Sequence, residues 1–276
     1  MSTSRVTLFF ADSKFKSAPS ILNVGDDVLI TAGSDDEFFY AVDETGELVF
    51  SIDTGDDVNS SASFIDLASG PAIFFGSESG ELHAVDTSGN PLTGWPVNLG
   101  DEINLSVSFA DFDDDGVPEV VASASNMIYI YTMAGEVYDP NHFPIINEFT
   151  ITSTPMIADL DDDSDLEILI GSAATMVVID VAGGGNATGS FWNIDRGNAK
   201  RHGVYTSSSS FDCNNAMLGN VNCDMNLDVM DVIVVVNFII EVDTPSDSYE
   251  QWAGDYNQDG VIDILDVVAI VNRILD

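Results

Sequence analysis

One phrase recurs along the first two thirds of the chain and leaves little choice of fold. Ser20-Ile-Leu-Asn23, Ser63-Phe-Ile-Asp66, Ser108-Phe-Ala-Asp111 and Met156-Ile-Ala-Asp159 follow one another at steps of 43, 45 and 48 residues. An apolar run follows each: Val28-Leu-Ile-Thr-Ala32, Ala72-Ile-Phe-Phe-Gly76, Glu119-Val-Val-Ala-Ser123 and Glu167-Ile-Leu-Ile-Gly171. A second run then ends in a glycine turn, at Gly46, Gly89, Gly135 and Gly183. Short apolar runs punctuated by Gly, Asp, Asn and Ser read as strands. One such unit cannot bury its own apolar faces, so it needs neighbours, and a period of roughly 40 to 50 residues with several strands is that of a propeller blade. The expected fold class is mainly β: about four β-propeller blades of four-stranded antiparallel sheets across residues 1–205. Val6–Phe10 is the candidate closing strand. Four units would either close a small ring or belong to a longer array.

Two of the units carry a dense acidic motif between strands. Asp111-Phe-Asp113-Asp-Asp115-Gly-Val117-Pro-Glu119 and Asp159-Leu-Asp161-Asp-Asp163-Ser-Asp165-Leu-Glu167 place acids at alternate positions of a nine-residue turn. Like charges this close cost several kcal/mol, on the order of one per pair at a surface, unless a cation sits among them. Alternate acids on a tight hairpin can all face one hard cation, with the carbonyl of Val117 as a further oxygen. The motifs resemble the calcium hairpins of FG-GAP and VCBS repeats, as in integrin-type propellers. The strand and turn phrases of the first two units are more similar to PQQ-type blades. Units one and two lack the acids, so no metal is expected there.

The C-terminal segment carries a different acidic spacing. Asp255, Asn257, Asp259, Asp263 and Asp266 occupy positions 1, 3, 5, 9 and 12 of a loop with Gly260 at position 6. This is the spacing of a 12-residue calcium loop, in which position 7, here Val261, gives its carbonyl. The pattern recurs 35 residues earlier as Asn220, Asn222, Asp224, Asp228 and Asp231, with Asn226 at position 7. Each loop runs into an apolar helical segment. Two such loops, each followed by one helix, resemble a type I dockerin domain over residues 217–276. The resemblance implies a small α-helical domain with two EF-hand-type calcium loops, in which the entering helix is missing. It also implies docking to a cohesin-type partner. Met225 stands where glycine is expected, and the first loop has fewer carboxylates, so its site is expected to be the weaker. Where the family reads its partner, this chain has Val229-Met230 and Ile264-Leu265; the alternative for these apolar pairs is core packing. Residues 206–216 are a polar linker. Cys213 and Cys223 have a disulfide or two buried thiols as their alternatives, and the disulfide is the expected state.

Composition bounds the function. Acids outnumber Lys and Arg by 47 to 7, a formal charge of −40, which excludes nucleic acid as a partner. No apolar run reaches the length of a membrane span, and the first ten residues do not read as a signal peptide. The chain holds no nucleophile elbow and no phosphate loop, and its histidines lie far apart at 83, 142 and 202. The segment from Phe191 to Tyr205 is expected to close the fold rather than bind a ligand. The expectation is a secreted or cell-surface, non-catalytic calcium protein with about four Ca²⁺ sites. Its tail would dock to a cohesin-like or cell-surface partner, with carbohydrate or self-association as further partners. The alternative is a secreted polysaccharide hydrolase or lyase recruited through the same tail.

Overall fold

The computed structural model describes residues 8–276 except 26, 68, 162, 164, 184–190, 199, 208–217, 220, 222–228, 241–247 and 276. The side chains of 229, 230, 248–250 and 275 also lie outside the description. The chain divides into two compact units, Met1–Ser207 and Ser208–Asp276.

The first unit is built of small antiparallel sheets, each made from one repeat. The first holds β1 (Ser20–Val24), β2 (Asp27–Gly33), β3 (Phe38–Val42) and β4 (Leu48–Asp53). The second holds β5 (Ser63–Leu67), β6 (Gly70–Gly76), β7 (Glu81–Val85) and β8 (Val97–Asn98). The third holds β9 (Ser108–Ala110), β10 (Glu119–Ala124), β11 (Met127–Tyr131) and β12 (Ile145–Ile146). The fourth holds β13 (Met156–Ala158), β14 (Leu166–Gly171) and β15 (Met176–Val181). It shows three strands rather than four, and the residues directly after Gly183 lie outside the described set. Strand β16 (Val204–Thr206) pairs parallel with β1, Ile21 facing Val204.

The serines that open the repeats tie successive sheets together. Ser20 donates to the Ala62 carbonyl at 3.0 Å, Ser63 to Val107 at 2.7 Å and Ser108 to Pro155 at 2.6 Å. Each serine is buried, so its hydroxyl must find a protein partner or lose the hydrogen bond it had in water. Between the second and third sheets Phe74 meets Phe109 and Trp95 edge-on, at 5.0 and 5.1 Å. A second apolar cluster joins Phe112, Ile128, Ile157 and Ile168 across the third and fourth sheets.

Of the expected closing strand Val6–Phe10, residues 6 and 7 lie outside the described set and Leu8, Phe9 and Phe10 form no strand; the edge of β1 is taken by β16. The reason lies in residues 191–207, which reach the first strand of every sheet. Asn193 accepts from the Ile157 amide and Trp192 from the Phe109 amide, both at 3.0 Å. Tyr205 accepts from the Asp66 amide at 3.2 Å, and Gly203 from Ile21 at 2.7 Å. Trp192 is buried edge-on against Phe64. Arg196 donates to the carbonyls of Pro19 and His202, holding the turn before β16.

The second unit contains α1 (Val229–Ile239), α2 (Ser248–Gly254) and α3 (Ile264–Leu275). Val221, Val235, Ala253, Val267 and Ile270 form its core. The resemblance led us to expect no helix entering the second loop, but α2 does so. Its last residues pack closely, with Gly254 against Ile262 and the Ala253 carbonyl accepting from Gly219. Among the described residues no helix is long and apolar enough to cross a membrane.

Candidate metal centres

The first acidic turn joins β9 to β10. Asp111 follows β9 directly and Glu119 opens β10, so pairing of Ala110 with Glu119 fixes both ends of the turn. Asp111 and Glu119 are buried, whereas Asp113 and Asp115 are exposed. The carboxylate oxygens organise the turn by accepting its amides. Asp111 takes the N–H groups of Asp115 and Gly116, at 3.2 and 2.9 Å. Asp115 takes that of Val117 at 2.7 Å, and Glu119 that of Phe112 at 2.9 Å. Positive φ at Asp114 and Gly116 curls the chain, a conformation that suits Asp and Gly better than bulkier residues.

One oxygen from each of Asp111, Asp113 and Asp115 lies within 4.8 Å of the others. Calcium binds oxygen at about 2.3 to 2.6 Å, so two ligands on opposite sides of the ion stand roughly 5 Å apart. The cluster is therefore of a size to hold a metal ion. Its electrostatics point the same way. Burial pushes the Glu119 carboxyl up to about 7, partly countered by the Phe112 amide, and the charges of Asp113, Asp111 and Asp115 raise it further. A cation at this point would relieve that repulsion.

The second acidic turn repeats the design between β13 and β14. Oxygens of Asp159, Asp161 and Glu167 lie within 4.8 Å of one another and could also hold a metal ion. Glu167 is buried and accepts from the Leu160 amide at 2.6 Å, the counterpart of Glu119 and Phe112. Asp163 accepts from the Asp165 amide, and Asp165 accepts from Gly183 at 3.2 Å. Asp165 thus ties the turn to the residue pair that follows β15; the triad includes neither it nor Asp163. The neighbouring charge of Asp163 raises the pKa of Asp161, with burial, Glu167 and Asp159 adding to it.

The C-terminal loop has the same internal wiring. Asp255 accepts from the amides of Asp259 and Gly260, at 3.0 and 2.8 Å. Asn257 accepts from Asp259, and Asp259 from Val261 at 3.0 Å. Asp266 is fully buried in the first turn of α3 and accepts from Asn257 and Asp263. Asp263 accepts from Leu265 at 2.7 Å, which satisfies an amide at the start of α3. Gly260 has φ +90. In the earlier loop, Asn220, Asn222, Asp224, Asn226 and Asp228 lie outside the described residues, as do Cys213 and Cys223. Asp231 is described, and it is buried in the first turn of α1 as Asp266 is in α3. Ile264 and Leu265 are more than half exposed, with Val261, Val268 and Val271 exposed beside them. The side chains of Val229 and Met230 lie outside the description.

His83 has one acid nearby, Glu81 at 3.7 Å. It is buried, stacked on Phe75 at 4.9 Å between ring centres, and burial lowers its pKa to about 4.

No family model matches this chain, and none of the curated proteins does. Among solved structures it is similar to the computationally designed Ika4 protein, at 16% identity and TM-score 0.42, over 66% of this chain and 99% of that one. It is similar to BBS1N in complex with ARL6DN, soaked with mercury, at 13% identity and TM-score 0.46, over 65% of this chain and 55% of that one. A third likeness is to the V. cholerae biofilm matrix protein Bap1, at 16% identity and TM-score 0.45, over 60% of this chain and 27% of that one.

Proposed function

We propose that this chain is a calcium-binding, non-catalytic adhesion or scaffold protein that works outside the cell. In this reading the first unit is a β-propeller of about four blades with FG-GAP or VCBS-type calcium hairpins. The second is a dockerin-like docking module, and the full complement is about four Ca²⁺ ions. The observation that carries the reading is the shared wiring of three turns. In two of them, position 1 accepts the amides of positions 5 and 6: Asp111 from Asp115 and Gly116, and Asp255 from Asp259 and Gly260. In all three, position 5 accepts the amide of position 7, at Asp115, Asp163 and Asp259. In all three, a buried final acid reaches back to an early amide, at Glu119, Glu167 and Asp266. This wiring curls each turn around its acids, and in the two hairpins three carboxylate oxygens also gather within 4.8 Å of one another, a crowding that a cation between them would relieve. At the millimolar calcium found outside cells, even sites of modest affinity fill.

The exposed apolar row Val261, Ile264, Leu265 and Val268 supports docking through the second unit. A cohesin-type protein is the partner of this reading. The tail of the first unit argues against a ligand channel between its sheets, because residues 191–207 bond to the first strand of each. The test is calorimetric titration of calcium into chelator-stripped protein, followed in parallel by far-ultraviolet circular dichroism. The reading predicts saturable binding, lost in part by Asp111→Asn and in a different part by Asp255→Asn, with helix gained on binding. Binding that neither substitution changes would defeat it.

A further inference from the structure

The third sheet breaks a packing rule that the other three obey. In those three, a glycine near the end of the second strand donates its amide to a serine hydroxyl. The pairs are Gly33 with Ser17 at 2.7 Å, Gly76 with Ser60 at 2.7 Å and Gly171 with Ser153 at 2.8 Å. Strand registers locate the same position in the third sheet. Ser20, Ser63, Ser108 and Met156 pair with Thr31, Phe74, Val121 and Leu169. Two residues further on stand Gly33, Gly76, Ser123 and Gly171; three residues before the anchors stand Ser17, Ser60, Leu105 and Ser153. In the third sheet the hydroxyl has therefore moved onto the strand, and its partner position holds a leucine. The Ser123 hydroxyl is buried and has no hydrogen-bond partner.

The glycine does a second job. A Cβ at Gly33 would fall 2.3 Å from Val58 Cγ1, and one at Gly76 would fall 2.1 Å from Ile103 Cγ2. The connector side chain thus seats in the space where a glycine has none. After the third sheet the connector residue is Ile151, whose amide bonds Ser125, two residues beyond Ser123, where Val58 and Ile103 bond Ser34 and Ser77, one residue beyond the glycines. Ser123 carries a Cβ at this position, and beside it lies a cavity of about 300 Å³, with Leu105, Ser123 and the buried Ile151 among its lining residues. Asp101, Glu102, Asn104 and Thr150, all exposed, and the half-buried Ser125 complete its lining. Ser123 lies near the opposite end of β10 from Glu119, so the cavity is separate from the candidate metal centres.

We propose that this cavity binds a neutral polyhydroxylated ligand of about one sugar ring. Two carboxylates offer strong acceptors for adjacent hydroxyl groups. The hydroxyls of Ser123 and Thr150 both donate and accept. Leu105 and Ile151 offer aliphatic surface for the C–H groups of a ring. No basic side chain lines the cavity, so an anion would meet only like charge. A purely apolar ligand would leave Ser123 unpaired. The volume stands at the small end of ligand pockets, which suits one ring rather than a chain of them. Asn104 donates to Glu102 at 3.3 Å and accepts from Asn59 at 3.1 Å, which holds the rim in place.

The test uses methyl glucoside, methyl galactoside and methyl mannoside, with putrescine as a cationic comparator. Saturation-transfer NMR and calorimetry are run on the full chain with calcium present. At least one glycoside is expected to bind at millimolar concentration or below. The double substitution Ser123→Gly with Leu105→Ser restores the glycine–serine pair of the other sheets, removes the unpaired hydroxyl and the leucine side chain from the lining, and should weaken that binding at least tenfold. Glu102→Ala, at an exposed position, should weaken it by a similar factor without touching the core. Absence of glycoside binding, binding of putrescine alone, or glycoside binding unchanged in both variants would overturn the proposal.

Discussion

Acid should weaken the first unit through a single buried ring. His83 stacks on Phe75, and burial holds its pKa at about 4 against an ordinary 6.5. The nearest acid is Glu81, 3.7 Å away and half in water, which offers only weak compensation. The folded state thus keeps His83 neutral at pH values where the unfolded chain has already protonated it. Between those two pKa values the unfolded state binds more protons, so stability falls as pH falls. His83 costs nothing above about pH 7. The loss begins near pH 6.5 and is complete below about pH 4. One pKa unit corresponds to about 1.4 kcal/mol, so the descent from pH 6.5 to 5 removes about 2 kcal/mol and the whole window about 3. His83→Phe keeps the stacked ring and removes the titration. We predict that urea denaturation with calcium fixed will show wild type losing about 2 kcal/mol more than this variant between pH 7 and 5. The comparison between variants cancels the general titration of the carboxylates. Parallel stability curves, or an NMR pKa near 6.5 for His83, would refute the reasoning.

Three further outcomes follow from the packing and the turns. Gly76→Ala should destabilise the first unit by about 1 to 3 kcal/mol, because the new methyl collides with Ile103; thermal melts at fixed calcium check this. Trp192→Ala should cost about 3 to 5 kcal/mol, since the fully buried indole packs on Phe64 and Tyr205 where the tail crosses the sheets. A wild-type-like denaturation midpoint in that variant would show that the tail does not hold the unit together. Asp255→Ala removes the acceptor of two loop amides, so it should abolish one calcium site and reduce helix content while leaving the hairpin sites intact. Calcium titration and circular dichroism on the same sample separate these effects.

Much of this was written locally in the chain. The 43 to 48 residue step placed the strands because period-two burial and glycine turns are short-range signals. The acidic turns were legible for a similar reason: a metal loop is a spacing code within about a dozen residues. Three features were not legible. The pairing of β16 with β1 joins residues more than 180 positions apart, and nothing in Val204-Tyr-Thr206 names that edge over any other. The helix α2 spans only seven residues, too few to show a clear period in sequence. The exchange of Ser and Gly for Leu105 and Ser123 became visible only when strand registers aligned the sheets.

The most direct test of the calcium reading is native mass spectrometry of the chain before and after removal of metal. It counts ions without assuming where they sit. The account predicts about four calcium ions per chain, falling by one each for Asp111→Asn, Asp161→Asn and Asp255→Asn. A chain that carries no calcium at millimolar concentration, or whose count ignores all three substitutions, would contradict it.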